Sequence, residues 1–301
     1  MKKYLKDSKP LILSNIFAVI VINLGKVLLS LSYGYETLAY FNLIDTNIIT
    51  FLLVFSGSIK TLSLSLYSSL FSENRNKDVQ RIANRLEKYY SAMFLFIIIF
   101  VFLNSELSFA LFLPNYLPSV TYLYIMIFIP YFASINRPYS TQLIPGKKQK
   151  VSATFSLSKT SIKIILTILI VPVSLFSIPL LALGAVGLAV LETLYWFGDF
   201  FFYRYFSKKY FKISSYKKLY IQVFIAINSF IISLLLKEFI LNRVIENQFI
   251  LLLTSTGILL GLYSFELLLI KEINKNDIKF FLSLLNIKSY KDSFLDEIRN
   301  D

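Results

Sequence analysis

The chain has 301 residues, of which 56% are hydrophobic, with a mean hydropathy of +0.63 and several apolar runs near the length of a bilayer span, more than a soluble core requires. It holds no cysteine and no histidine, which excludes disulfides, thiolate or imidazole metal sites and the usual proton relay, and so argues against a hydrolytic or metal-centred enzyme. The net charge of +13 is distributed loop by loop, as in a membrane chain, so no nucleic-acid partner and no cofactor or metal is expected.

In chain order, the run after MKKYLKDSKP continues as apolar residues with no small-residue cleavage site, so it is read as a retained helix rather than a signal peptide. Apolar run length places membrane helices at 11–32, 41–70, 90–112, 118–136, 157–177, 180–203, 219–240 and 248–270, about eight in all. The first carries Asn15, Asn23 and Lys26 within an arc of about 80°. The second continues the polar stripe with Asn42, Asp45, Ser56, Lys60 and Ser63, and its length predicts a tilt or a break. Two polar-striped helices in succession predict a hydrated cavity beside them. Lys60 stands ~18 Å from the basic end of its helix, too far to snorkel there, and an internal ion pair of Lys26 or Lys60 with Asp45 or Glu192 is the structural alternative.

In residues 76–90, Val79, Ile82, Ala83 and Leu86 recur at helical spacing among charges, which predicts a helix lying on the inner surface. The loop SINRPYSTQLIPGKKQK holds a Pro-Gly turn and Arg137, placed to clamp a phosphate at the inner mouth if it does more than set topology. In the stretch 180–203, Ala185, Ala189, Glu192 and Asp199 follow at spacings of four, three and seven, on one helix face. With Gly184 and Gly187 nearby, that face is expected to pack on another helix, with the carboxylates pointing inward because a lipid-facing charge costs ~2.5–3.5 kcal/mol. Asp199 is expected to pair with Arg204 or another nearby basic residue. At the chain's end, Asn276 or Asp277 is placed to cap an amphipathic helix over 276–287.

Lysine and arginine crowd the N-terminal tail, the loops near 75–88, 137–156 and 204–218, and the tail after 270, whereas the loops at 33–40, 113–117 and 178–179 hold none. Basic residues remain on the cytoplasmic side, so the alternation predicts a multi-pass protein of the cytoplasmic membrane with both termini inside and with attraction to membrane lipids. There is no Walker loop, no GxSxG and no carboxylate pair flanked by a base.

The order of these features resembles a known family. The run from Pro-Gly-Lys-Lys at 145–148, through SLSKTSIKIILTILIVPVSLFSIPLLALGAVGLAVLETLYW, to RYFSKKYFKI is similar to the C-terminal half of polysaccharide transporters of the MATE-like flippase superfamily. The element Gly184, Ala185, Val186, Gly187, Leu188, Ala189 looks like that family's Gly-Ala-x-Gly-Ala-Ala. YGYETLAYFNL looks like its external turn, FLPNYLPS like its motif ending in Tyr and a small residue, and KNDIKFFLSLLN like the tails of O-antigen-type translocases.

The resemblance implies an all-α membrane protein: residues 1–210 as a six-helix lobe, 211–270 as two additional spans and 271–301 as a cytoplasmic amphipathic tail. It implies movement of a lipid-linked saccharide during polysaccharide biosynthesis by alternating access. Because that needs two lobes, it further implies a first-lobe partner chain, a homodimer or a truncated product. The substrate path would then run past Lys26, Lys60 and Arg137 for the phosphate and past Asn15, Asn23 and Asn42 for sugar hydroxyls, with Asp45 and Glu192 as internal acidic partners. Two further readings are a non-transporting scaffold or regulatory subunit of a saccharide assembly complex, and a half of a multidrug antiporter. A membrane glycosyltransferase is disfavoured, since the outer loops carry only Glu36, Glu106, Glu238 and Glu246 near their edges.

Overall fold

The computed structural model describes residues 2–175 and 178–272, with the backbone alone at 2–16, 18, 21–22, 55–56, 58–62, 175 and 178; the predicted tail helix over 276–287 lies outside the described residues. The chain is an all-α membrane protein. Among the described residues, seven segments are long and apolar enough to cross a bilayer: Asn23–Val54, Asn76–Phe112, Pro114–Leu143, Gln149–Ile170, Gly184–Phe211, Leu219–Val244 and Gln248–Leu269.

The first of these is folded back on itself. Helix α1, Lys2–Asn42, has one non-helical residue, Gly34, at φ 84° and ψ 173°, a conformation essentially confined to glycine. In a straight helix residues 26 and 45 would stand about 28 Å apart. Lys26 Nζ instead lies 2.7 Å from Asp45 Oδ2, so the chain reverses at Gly34 into a hairpin. The returning arm passes through a π-helical stretch, Leu43–Ile49, into α2, Thr50–Ser72. Its wider i→i+5 turns rotate the residues that follow off the line that a uniform 100° period predicts.

Helix α3, Asn76–Phe112, is the main departure from the sequence reading. The amphipathic stretch at 76–90 does not lie flat on a surface; it continues into the membrane span without a break. Its apolar face is claimed by protein: Val79 and Ala83 are fully buried in a cluster with Tyr67, Leu70, Tyr139, Leu143, Phe211 and Ile213. At 37 residues the helix is about 55 Å long and exceeds a ~30 Å hydrocarbon core, so its first turns stand outside it.

A 3₁₀ turn, Pro114–Ser119, leads into α4, Val120–Met126, and α5, Phe128–Ser140, which form one bent span. The bend at Ile127 follows from Pro130, which cannot donate to the Met126 carbonyl and crowds it. After a second 3₁₀ turn, Thr141–Leu143, helix α6 runs Gln149–Ile170, starting and ending about a turn or two earlier than 157–177. Val171 is still helical, but Pro172 after it has no N–H to continue the ladder and stops the helix. A short antiparallel ladder follows, β1 (Ser174–Leu175) on β2 (Ile178–Pro179), before α7, Gly184–Phe211, which ends on Lys212 in the left-handed region.

Helix α8, Leu219–Leu236, continues through a π stretch, Lys237–Leu241, and α9, Asn242–Val244. Helix α10, Gln248–Leu269, is capped by the Asn247 side chain, which accepts from the amides of Phe249 and Ile250 at 2.9 and 3.2 Å. The larger core joins residues of the hairpin, α3 to α5, α7, α8 and α10 around Leu29, Phe41, Phe94, Met126, Ala189 and Leu259. Large apolar side chains such as Phe224 and Leu253 stand outward, as hydrocarbon rather than water would require.

Candidate functional site

Polar groups inside the bundle fall into three tiers along the helices. The tier nearest the Gly34 bend forms a cavity. Lys26 sits eight residues, about 12 Å, before the bend on the outgoing arm, and Asp45 and Thr46 face it from the π stretch of the returning one. Lys26 Nζ donates to Thr46 Oγ1 at 3.1 Å and pairs with Asp45. The π turn brings two consecutive residues, Asp45 and Thr46, to one ammonium. Beside them opens a cavity of about 400 Å³ lined by Lys26, Ala39, Asn42, Leu43, Thr46, Asn47 and Tyr116. Asn42 is among the lining residues, and its Oδ1 is buried without a hydrogen-bond partner among the described residues.

The middle tier lies between α6 and α7. Lys163 Nζ meets Glu192 Oε1 at 2.5 Å and Lys159 bonds Asp199, two ion pairs one above the other. Tyr195 stands between them, its ring 3.5 Å from Lys159 Nζ and 4.7 Å from Lys163 Nζ, so each ammonium meets a carboxylate and a π face. The helix face predicted from Ala185, Ala189, Glu192 and Asp199 is turned inward: both alanines and Asp199 are buried. Gly187 packs so closely on α6 that a Cβ there would stand 2.5 Å from Ile170 Cγ2.

The third tier is at the basic end. Glu87 on α3 is fully buried and accepts from Arg204, from the Tyr139 hydroxyl and, at 2.7 Å, from the Tyr216 amide. Arg204 also donates to Asn136 Oδ1 at 2.5 Å, and its guanidinium lies 3.8 Å from the Phe200 ring centre. One carboxylate thus ties α3, α5, α7 and the linker to α8 together. A smaller cluster joins α3 to the last two spans: Lys237 Nζ donates to the Leu103 carbonyl at 2.5 Å, and Ser255 donates to Asn104 Oδ1 at 2.8 Å.

Of the residues singled out by sequence, the structure brings Lys26 and Asn42 to one cavity, with Asp45 paired to Lys26 beside it. Glu192 belongs to a different tier, and among the described residues its partner is Lys163 rather than Lys26; Asp199 takes Lys159 rather than Arg204. Arg137 is half-buried on α5 at the opposite end from Lys26, next to the Asn136 that serves Arg204. Asn23 is exposed and donates to its own helix, to Val19 O at 2.8 Å, so it does not line the cavity. The side chains of Asn15 and Lys60 lie outside the described residues.

Missed by sequence were Thr46 and Tyr116 in the cavity, Lys159 and Lys163 as ion-pair partners, and Glu87. The signal for Glu87 was present: it follows Val79 and Ala83 at spacings of four, on the apolar face. Lys159 and Lys163 are one helical turn apart, matching a neighbour with carboxylates on one face. Comparison with protein-family models, with curated proteins and with solved structures returned no match.

Proposed function

We propose that this chain is a component of a flippase-type transporter that moves a lipid-linked saccharide across the cytoplasmic membrane, with eight spans and both termini on the cytoplasmic side. The observation that carries the reading is the cavity within apolar spans that is lined by Lys26, Asn42, Thr46 and Asn47, with Lys26 paired to Asp45 beside it. A phosphate would compete with Asp45 for Lys26, while Asn42, Thr46 and Asn47 meet hydroxyl groups and the apolar tail stays in the bilayer. The count of eight takes the two arms of the Gly34 hairpin as separate crossings. It places residues 75–88, 144–150 and 204–218 on one side, as the distribution of lysine and arginine favours. Alternating access requires two bodies rocking about a site, so the reading assigns the second body to a partner chain or a second copy.

In a strain lacking this gene, lipid-linked saccharide should accumulate on the inner leaflet, and the wild-type chain should restore export. The double variant K26A/K60A, compared at matched levels of inserted protein, should fail to restore it. Normal export by that variant discards the site; absence of any accumulation in the deletion strain discards transport. A second reading, a non-transporting scaffold in a saccharide assembly complex, is favoured by one observation. Lys26, Lys159, Lys163 and Arg204 are each matched by a carboxylate, which leaves those tiers electrically neutral and cross-braced. A scaffold would tolerate K26A/K60A while losing its partners when the brace at Glu87 is removed.

A further inference from the structure

We propose a second, separate site at the basic end of the molecule: a pocket that holds a phosphate group, carried either by a lipid headgroup or by a small soluble phosphoryl compound. It is a recess of about 430 Å³ between the first third of α3, the linker before α8 and the end of α10. Among the described residues four lysines line it, Lys88, Lys217, Lys218 and Lys271, with one carboxylate, Glu272.

A requirement that basic loops stay on one side of the membrane accounts for the number of lysines but not for their convergence. Their convergence is built. The linker bearing Lys217 and Lys218 is pinned at three points: Gln80 Nε2 donates to Ser214 Oγ at 2.9 Å, the Tyr216 amide to Glu87 Oε2 at 2.7 Å, and the Tyr216 hydroxyl to Glu272 Oε2 at 2.5 Å. Glu272 is itself buried and lies 3.4 Å from Lys218 Nζ, so its charge is offset by one of the lysines at the rim. Helix α8 begins at the rim, where Lys218 as N-cap makes no side-chain capping bond, and the positive end of the helix adds to the field. Asn84 and Ser215 supply neutral hydrogen-bonding groups at the wall. Pinning the linker that carries Lys217 and Lys218 removes the backbone part of the ordering cost that a loose basic loop would carry. Because α3 overshoots the hydrocarbon at this end, the pocket stands at headgroup level, within reach of lipid and of water. The site does not depend on the transport reading and stands whether or not the chain moves a substrate.

The test uses the full-length protein in detergent, titrated with dioleoyl phosphatidic acid, with phosphatidylcholine as the control lipid, and read by native mass spectrometry. Phosphatidic acid should bind in preference to phosphatidylcholine. The variant K88Q/K217Q/K271Q, which leaves Lys218 on Glu272, should bind it at least roughly tenfold more weakly, given the attraction each basic residue contributes near an anionic headgroup. K147Q/K148Q/K150Q, at another basic loop, should bind as wild type. Inorganic phosphate added in competition assigns the source: displacement marks a soluble phosphoryl ligand, and persistence marks a lipid-borne one. Undiminished binding by the first variant, or an equal loss in the second, overturns the site. Should the triple variant fail to fold, the exposed single change K271Q carries the same comparison, with a smaller loss expected and no loss overturning the proposal.

Discussion

Glu87 concentrates more consequence in one side chain than any other described residue. It is fully buried, and its removal strands Arg204, the Tyr139 hydroxyl and the Tyr216 amide together. Breaking a buried pair from one side typically costs about 3–5 kcal/mol, so E87A should unfold at a markedly lower temperature in detergent, and E87A/R204L should recover part of the loss. An E87A protein as stable as wild type would show that the pair contributes nothing. Glycines differ just as sharply by place. G187A should destabilise by about 1–3 kcal/mol, because the new methyl meets Ile170 and Leu183 within 2.7 Å. On the same helix, G198A has open space and should be neutral or raise the melting temperature, since alanine favours the helix by about 1 kcal/mol. Equal melting temperatures for the two would contradict the close approach of α6 and α7.

Between elements, the ladder of two ion pairs and Tyr195 fixes the register of α6 against α7. K163E and E192K should each destabilise, and the swapped pair K163E/E192K should recover with a coupling of roughly 0.5–3 kcal/mol, measured by a thermal-unfolding cycle. Strict additivity would remove the ladder from the account of that interface. This interface also marks how far the sequence could be read. Periodicity placed Glu192 and Asp199 on the small-residue face and turned it inward, because spacing along one helix is a local property. Which neighbour would supply the cations depended on how helices assort, which the spacing along α7 does not encode. Glu87 was hidden for the complementary reason: in a stretch dense with charges its place on the apolar face looked like noise. The cavity was half legible, since a uniform helical period could place Asn42 and Asp45 together but could not anticipate the π turn that adds Thr46.

For the whole molecule, the spans were legible because hydrocarbon thickness dictates run length directly, and the main corrections fall where helices extend beyond it, at the start of α3 and the end of α7. The absence of cysteine makes the topology directly measurable. Single cysteines at Tyr35 and Leu181 should react with a membrane-impermeant maleimide in intact cells, and cysteines at Lys6, Lys77 and Lys209 only after permeabilisation. A Lys6 site that reacts in intact cells would reduce the proposed eight crossings to seven. The reversal at Gly34 also bears on how the chain enters the bilayer during synthesis. A lysine or an aspartate inserted alone at mid-depth costs ~2.5–3.5 kcal/mol, and the two arms are separated by a bend of a single residue. Leaving the translocon as one unit, the hairpin would carry Lys26 and Asp45 into the lipid already neutralised by each other. Loss of either partner should therefore appear first as poor insertion, before any defect in the finished protein.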